Sequence, residues 1–294
     1  MNIEERNFAL LHPEKFNWYS TPAYLLFLIA LSSIFGTTVT ANAVTLPWST
    51  SYNCSETDQF QAGWPNCDGL QMWGAWSVNG KGEQITTAAN NPIGGGGRGQ
   101  RQWNGDGSNS GSGGAGITFS PVNEIYVRWY MRYQLGFKWG SLSYDKILYY
   151  HGGTNIPEFY GGNYWNFYAA GTNHTIANAG FSTANGGPTG DGKFHCYEIH
   201  QKINPGTGDD IGEFWLDGVY KGKVTGFDYS RPFDGFGIGE NQANPANGTT
   251  AYVDFDDIAI QTTGPIGCLG GTAPPSGGAT TPPPAPQNLT IVQP

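Results

Sequence analysis

The sequence predicts an all-β fold, a sandwich or jelly roll made of two antiparallel sheets. Its 294 residues include 45 glycines, and aromatic residues make up 14% of the chain while charged residues make up only 13%. Short runs that alternate apolar and polar residues are numerous, whereas long segments with a helical period are few. Many short strands joined by glycine-rich turns are typical of two-sheet architectures.

The strands are predicted from alternation and from the turns between them. In chain order the runs are QITTAAN, GITFS, EIYVRWYMRYQ, KILYYHG, YWNFYAAG, CYEIHQKIN, GEFWLDGVYKGKV, GFGIGEN and AYVDFDDIAIQ. Asp217-Gly218 is a type I′ turn dipeptide between two alternating runs, which indicates a hairpin. The polar stretch from Gly94 to Gly116 is predicted to be a long loop, either functional or a disordered surface loop. Its residues Arg98, Arg101 and Trp103 favour the functional interpretation.

The chain is predicted to contain one folded domain between two other segments. Residues 1–43 are predicted to be a secretion signal, because an apolar run from Ala23 to Phe35 precedes the small-residue site Ala41-Asn42-Ala43. An uncleaved anchor is the alternative. Residues 44–268 form the domain, and residues 269–294 form a flexible tail rich in Pro, Gly and Thr. We therefore expect a secreted monomer, extracellular or periplasmic, with no membrane contact once the signal is cleaved.

Charge and cysteine content narrow the range of partners. The formal net charge is −9 and the chain has no basic stripe, which argues against nucleic acid or an anionic membrane as a partner. All four cysteines follow the signal, and an even number in an exported protein indicates two disulfides. Four cysteines allow three pairings, of which we favour Cys54–Cys67 with Cys196–Cys268. No Cys/His cluster indicates zinc.

Alternation also assigns each strand residue to the core or to an outer face. In EIYVRWYMRYQ the core residues are Ile125, Val127, Trp129 and Met131. The outward positions are rich in Tyr, Arg, Asn, His and Trp, whereas idle solvated faces favour Lys, Glu, Thr and Ser. These outward positions are Tyr126, Arg128, Tyr130, Arg132, Tyr164, Asn166, Tyr168, Glu198, His200, Lys202, Glu213 and Trp215.

Such a set predicts a polysaccharide-binding groove. Sugars pack their C–H faces on aromatic rings, and their hydroxyls form hydrogen bonds with polar neighbours. This packing offsets the free-energy cost of exposing Tyr and Trp to solvent. The alternative is that the residues belong to two unrelated outer faces. Lys146, Tyr150 and His151 stay ambiguous, because KILYYHG is apolar on both faces.

Four segments together resemble the concanavalin A-like jelly roll, namely YVRWYMRYQ, CYEIHQKINPG, GEFWLDGVYKGKV and AYVDFDDIAI. Within that fold, about residues 50–265 are similar to secreted polysaccharide lyases of the glucuronan, heparin and alginate lyase types. Glu198-Ile199-His200 resembles the Gln-Ile-His motif on a groove strand of alginate lyases, with Glu in place of Gln. Arg128 and Arg132 resemble the spaced arginines of another strand. The third motif of these lyases, a Tyr and a Lys near the C-terminal strands, has no clear counterpart.

The resemblance implies β-elimination in an acidic, uronate-containing glycan. That reaction needs a group that neutralises the carboxylate, a base for the neighbouring proton and an acid for the leaving oxygen. We expect His200 as the base, Asn166 or His200 as the neutralising group, and Tyr168 or Tyr150 as the acid. The expected substrate-binding residues are Arg128, Tyr130, Arg132, Tyr164, Glu198, Lys202, Trp215 and Arg101, the arginines gripping carboxylates through their planar forks.

Two other functions stay open at this stage. A non-catalytic carbohydrate-binding or adhesion domain fits the acidic net charge, and a glycosidase would use Glu198 and Glu213 at glycosidase spacing across one groove. No cofactor is expected. The aspartates of DFDDIAI suit a structural calcium ion, although a solvated edge strand is the favoured interpretation of that run.

Overall fold

Alternating runs of the sequence form the strands of the protein. The computed structural model describes residues 43–56, 67–74, 84–95, 97–103, 114–137, 144–150, 158–162, 165–169, 172–176, 190–229, 231–241 and 251–271. These residues all belong to one unit, residues 41–294. The predicted signal, apart from Ala43, and the predicted tail beyond Gly271 lie outside the described residues. Within the described ranges, no helix is long and apolar enough to cross a membrane.

The secondary structure of the described residues is almost entirely β. The strands are β1 (Trp48–Thr50), β2 (Gln71–Gly74), β3 (Gln84–Thr86), β4 (Gly99–Trp103), β5 (Gly114–Val122), β6 (Glu124–Tyr133), β7 (Tyr144–Tyr150), β8 (Glu158–Gly162), β9 (Trp165–Ala169), β10 (Thr172–Ile176), β11 (His195–Lys202), β12 (Asp210–Leu216), β13 (Val219–Phe227), β14 (Phe233–Asn241) and β15 (Tyr252–Gln261). A 3-10 helix spans Thr87–Ala89.

The strands form two antiparallel sheets, which confirms the predicted all-β jelly-roll sandwich. The eight-stranded sheet has the order β13-β12-β11-β6-β15-β4-β3, and β1 also pairs with β15. The seven-stranded sheet has the order β10-β9-β8-β7-β14-β5-β2. Strands distant in sequence, such as β6 and β15, are neighbours, as expected for the crossing connections of a jelly roll.

Aromatic side chains fill the space between the sheets. Trp129 and Tyr197 of the eight-stranded sheet stack with ring centroids 5.4 Å apart, and Trp165 of the seven-stranded sheet lies 6.4 Å from Trp129. The predicted core residues of β6 are all fully buried. Burial of one such side chain contributes about 1.5–3 kcal/mol. This layer therefore stabilises the sandwich and fixes which residues of each strand face outward.

The predicted disulfides and the predicted hairpin turn at Asp217-Gly218 are also confirmed. Disulfides join Cys54 to Cys67 and Cys196 to Cys268. Asp217 and Gly218 connect β12 to β13 and both have a positive φ, 51° and 75°. A positive φ at both central residues is what a type I′ turn requires.

Two predictions about local structure are wrong. Residues 99–103 of the predicted loop form β4, which alternation does not reveal because its inward residues are glutamines. Gln100 is fully buried and accepts a hydrogen bond from the Tyr52 hydroxyl at 2.6 Å. The run DFDDIAI lies in β15, which pairs with β6, β4 and β1 and is therefore not an edge strand.

Candidate functional site

The predicted groove residues lie on two different faces of the sandwich. Those of β4, β6, β11 and β12 belong to the eight-stranded sheet, whereas Asn166 and Tyr168 of β9 belong to the seven-stranded sheet. The two outer faces are separated by the core, so His200 and Asn166 do not share a groove. The prediction of one groove is wrong, because alternation gives the face of a residue within its strand but not the sheet that the strand joins.

A segment of the chain itself covers part of the eight-stranded sheet. We call residues 262–271, which follow β15, the C-terminal strap. Glu198 accepts two hydrogen bonds from it, from the N–H of Ile266 at 2.6 Å and from that of Gly267 at 2.9 Å. Arg128, opposite Glu198 in the register, donates to the carbonyl oxygen of Gly267 at 3.3 Å. The predicted substrate contacts of Glu198 and Arg128 are wrong, because the strap occupies that position.

Two further attachments hold the strap. The hydroxyl of Tyr130 accepts a hydrogen bond from the N–H of Leu269 at 2.7 Å, and the disulfide between Cys196 and Cys268 ties the strap to β11. The predicted contact of Tyr130 with a sugar is also wrong, because the strap occupies its hydroxyl. Burial raises the pKa of the Glu198 carboxyl, and the strap N–H groups oppose that shift.

Arg101 and Arg132 hold a carboxylate, but it belongs to the protein. Both guanidinium groups bind the fully buried Asp254, with Arg101 Nε 2.7 Å from Oδ1 and Arg132 Nε 2.9 Å from Oδ2. Each arginine also donates to the carbonyl oxygen of Ala88. The register explains the cluster, because Asp254 lies opposite Arg132 on one side and Arg101 on the other. The structure thus gives both arginines a structural role in place of the predicted grip on substrate.

His200 lies in a hydrogen-bonded cluster on the outer face of β11. Its Nδ1 is 2.7 Å from Glu213 Oε2, and its Nε2 is 2.9 Å from Glu124 Oε1. Its ring stacks on that of Tyr126, with centroids 4.2 Å apart, and Lys202 Nζ lies 3.4 Å from Glu124 Oε2. Because carboxylates engage both ring nitrogens, His200 is not placed to act as the predicted base. Lys202 likewise has its partner within the protein.

The remaining predictions on this face are wrong as well. Trp215 is 1% exposed and packs against Tyr220, so it offers no platform for a sugar. The glycosidase interpretation needs Glu198 and Glu213 to face a substrate across one groove. Glu198 binds the strap instead, and Glu213 binds His200.

The outer face of the seven-stranded sheet carries a different set of residues. Trp165 and Phe167 of β9 point into the core, which places Asn166 on the outer face, as predicted. Asn166 is 3% exposed, and its Oδ1 has no hydrogen-bond partner among the described residues. A buried polar atom without a partner costs about 1–3 kcal/mol. A ligand that donates a hydrogen bond here would remove that cost.

The strand register aligns two further polar positions with Asn166. Asn166 is directly opposite Tyr160 of β8, and Tyr160 is directly opposite Lys146 of β7. Opposed residues share a face of the sheet, so the three positions form one row across neighbouring strands, which we call the Lys146 row. For Lys146 and Tyr160 the structure describes the backbone position only. Sequence reasoning missed this row, because its alignment depends on the strand order.

A second row runs beside the first on the same face. Tyr168 is opposite Glu158, Glu158 is opposite Tyr149, and Tyr149 is opposite Gly237. Gly237 is in turn opposite Gly116 of β5. The backbone position of Tyr168 therefore shares a face with Asn166, as predicted, while its side chain lies outside the described residues.

Tyr150 does not belong to either row. Its ring lies in the core, 4.7 Å from that of Phe233 and 6.3 Å from that of Phe236. Burial raises the pKa of its hydroxyl well above the ordinary value. The predicted role of Tyr150 as an acid is wrong, because a substrate cannot reach a ring between the sheets. Tyr164, also predicted for the groove, lies outside the described residues.

The described residues contain no group of three or more acidic, histidine or cysteine side chains that could hold a metal ion. The aspartates of β15 bind protein groups instead. Asn91 donates from its N–H to Asp256 Oδ2 and from its Nδ2 to Asp257 Oδ2, each at 2.7 Å. Burial and then the charge of Asp257 raise the pKa of Asp256 to about 8. The structural calcium ion stays a prediction.

Comparison with known proteins establishes the fold. No protein-family model and no curated protein matches the sequence. Among solved structures, the chain is similar to alginate lyase Aly36B, with 12% identity and a TM-score of 0.53 over 74% of this chain and 98% of the lyase. A mutant of that lyase in complex with an alginate trisaccharide matches with 11% identity and a TM-score of 0.51 over 74% of this chain and 100% of the mutant.

A third similar structure is the cellulose-induced protein Cip1. It is 19% identical, with a TM-score of 0.48 over 75% of this chain and 99% of Cip1. At such identities, structural similarity shows a shared fold and nothing further. The class of protein defined here is therefore the jelly-roll β-sandwich that the lyase also has.

Proposed function

We propose that the protein is a polysaccharide lyase that cleaves a uronate-containing glycan by β-elimination on the outer face of the seven-stranded sheet. The observation that carries the proposal is the Lys146 row, in which a lysine, a tyrosine and a buried asparagine occupy opposed positions on three neighbouring strands. Neighbouring strands lie about 4.8 Å apart, so these positions can address one uronate unit and its linkage together. The fold shared with an alginate lyase supports the proposal.

Each residue type in the row supplies one requirement of the elimination. The Asn166 amide would donate to the substrate carboxylate and reduce its charge, which makes the neighbouring C–H more acidic. Its Oδ1 would accept a hydrogen bond from a sugar hydroxyl. Tyr160 would remove the carbon-bound proton as a phenolate, and the proton would pass to the leaving oxygen as the C–O bond breaks and the C=C bond forms. The positive charge of Lys146 would favour the phenolate.

Ultraviolet absorbance of the unsaturated product tests the proposal. Wild type would be incubated with alginate, glucuronan, glycosaminoglycans, pectin, and neutral glucans and xylans. We expect absorbance with an acidic polymer, and Tyr160→Phe should lower the rate by about 10²–10⁴-fold because it removes the group that transfers the proton.

His200→Gln is the matched control, because His200 lies on the outer face of the other sheet. It should keep the wild-type rate, with folding checked by circular dichroism. If His200→Gln abolished the absorbance while Tyr160→Phe left it unchanged, the site would lie on the eight-stranded sheet and the proposal would fail.

The net charge favours a second candidate, a non-catalytic carbohydrate-binding domain. A chain with a net charge of −9 repels polyanions, and a neutral glycan avoids that repulsion. Tyrosine positions 149, 160 and 168 on one face would suit stacking against sugar rings. Retention of a neutral glycan in affinity electrophoresis, without absorbance or reducing-end release on any polymer, would support this candidate over the lyase.

A further inference from the structure

The part of the chain that builds the proposed site carries very few charges. Residues 144–189 contain β7 to β10 and the connections between them, and their single Lys or Arg is Lys146. Their acidic residues are Asp145 and Glu158, so one lysine against two acids gives this segment a formal charge of −1. Most of its other polar residues are Asn, Thr and Tyr, which form hydrogen bonds without a charge. Such a composition suits sugar hydroxyls, with one position for a carboxylate.

The strand register places Glu158 beside the Lys146 row. Phe159 of β8 lies opposite the core residue Phe167, so Glu158 and Tyr160, on either side of Phe159, belong to the outer face. Glu158 and Tyr160 are two residues apart, which corresponds to about 7 Å along the strand. For Glu158 the structure describes the backbone position only. The row therefore has an acidic position one step away on the same face.

A glycan bound at Asn166 consequently meets one basic and one acidic position. The buried Oδ1 of Asn166 has no partner among the described residues, and Asn166 is two residues from Tyr168, which lies opposite Glu158. In the proposed reaction, Lys146 and the Asn166 amide match the carboxylate of the reacting uronate. A carboxylate on the adjoining sugar finds no second Lys or Arg in this segment, and the charge of Glu158 repels it.

We propose that the substrate is a glycan in which neutral sugars separate the uronate units, and that Glu158 disfavours a homopolymer of uronates. This substrate class rests on the proposed function and narrows it. Specificity is often obtained by a repulsive element that acts against the wrong ligand. The net charge of −9 acts in the same direction, because the protein repels a polymer of low charge density less strongly.

Partial carboxyl reduction tests the substrate class, because it converts uronate units into neutral sugars and keeps the linkage. Alginate, glucuronan and pectate would each be compared with a form in which part of the carboxylates is reduced to alcohols. Hyaluronan and unsulfated chondroitin, in which uronates alternate with neutral sugars, complete the set. We expect kcat/KM per uronate unit to be about three- to tenfold higher on the reduced form of a cleaved polymer. Added salt should narrow this difference, because it screens the repulsion.

Substitution of Glu158 tests the residue. Glu158→Gln removes the negative charge and nearly keeps the size of the side chain. It should raise kcat/KM on the unreduced polymer by about three- to tenfold and leave that on the reduced polymer close to the wild-type value. Glu158→Asp keeps the charge and should keep the wild-type preference. Both variants should keep the wild-type melting temperature.

Glu124→Gln is the matched control, because it makes the same change of charge on the outer face of the eight-stranded sheet. It should keep the wild-type ratio of kcat/KM between reduced and unreduced polymer. A wild type that cleaves the unreduced polymer as well as the reduced one, or better, would overturn the substrate class. A wild-type ratio in Glu158→Gln, or an equal change of the ratio in Glu124→Gln, would overturn the role of Glu158.

The two proposals fail in different ways. Wild type that gives no absorbance with any polymer, reduced or unreduced, refutes the lyase, whereas wild type that cleaves homopolymers best refutes only the substrate class. If wild type is silent, affinity electrophoresis with the same polymers tests the substrate class. Stronger retention by the reduced polymer, with the difference lost in Glu158→Gln, would then support it. Equal retention, stronger retention by the unreduced polymer, or no retention would overturn it.

Discussion

At the scale of single residues, the histidines of β11 find partners for both ring nitrogens within the protein. His195 Nδ1 lies 2.7 Å from Asp217 Oδ2, and its Nε2 lies 3.0 Å from Asp191 Oδ2. His200 is held in the same manner between two glutamates. A neutral imidazole has one N–H donor, whereas an imidazolium has two. The protonated ring of His195 therefore suits its position between Asp217 and Asp191.

We predict that His195 makes the free energy of unfolding fall as the pH rises above neutrality. Burial lowers the pKa of His195, but the bonds to Asp217 and Asp191 outweigh burial, so the pKa is raised above 6.5. A raised folded-state pKa contributes stability that is complete below about pH 6.5 and is lost as the pH passes the folded-state pKa. Because Asp217 is half exposed, solvent screening limits this contribution to about 1 kcal/mol or less.

Urea unfolding of wild type and His195→Gln, followed from about pH 6 to pH 9, measures this effect. The wild-type free energy of unfolding should decline over this range, and that of His195→Gln should decline less. His174→Gln is the control, because burial lowers the pKa of His174, so any effect of its titration on stability falls below about pH 6.5 and this variant should keep the wild-type pH dependence over the measured range. Parallel pH profiles for wild type and His195→Gln would refute the prediction.

At the scale of structural elements, alternation predicted the inward residues of β6 and the outward position of Arg128. It did not predict what covers Arg128. The C-terminal strap has no hydrophobic period, and it binds Glu198 through the backbone N–H groups of Ile266 and Gly267. Backbone groups leave no pattern in the sequence, so the strap could not be distinguished from a loop.

We predict that Glu198 stabilises the attachment of the C-terminal strap to the eight-stranded sheet. Glu198→Ala leaves two backbone N–H groups without their acceptor, and hydrogen bonds to a charged group contribute about 1.5–3 kcal/mol each. We therefore expect a loss of about 3–6 kcal/mol in the free energy of unfolding, measured in urea with the disulfides intact. Hydrogen exchange should become faster at residues 266–269.

The control for this experiment is Lys202→Ala, on the same strand but with a half-exposed side chain. It should stay close to wild type in both measurements. If Glu198→Ala unfolded at the wild-type urea concentration, the Cys196–Cys268 disulfide alone would hold the strap, and the carboxylate would contribute nothing measurable.

At the scale of the whole molecule, the arrangement of strands separates residues that the sequence presents alike. Asn166 lies between the buried Trp165 and Phe167, and His200 lies between the buried Ile199 and Gln201, so alternation predicts that both face outward. They belong to different sheets because β9 and β11 do. Strand order is set by packing between elements distant in sequence, so no local pattern contains it. The same order creates the Lys146 row, which no single segment of the sequence indicates.

Substitutions on the two outer faces should consequently have opposite effects on the free energy of unfolding and on activity. Asn166→Val replaces a buried amide, whose oxygen has no partner in the part of the chain that the structure describes, with an apolar residue that suits a strand. It should raise the free energy of unfolding by about 1 kcal/mol and abolish product absorbance, because function and stability compete at a polar site. Glu198→Ala should lower stability and leave kcat/KM at the wild-type value. Urea unfolding and product absorbance, measured for both variants under the same conditions, check these two predictions. A destabilised Asn166→Val variant would show that the amide serves the fold, and a Glu198→Ala variant that loses kcat/KM would show that the strap reaches the site through the core.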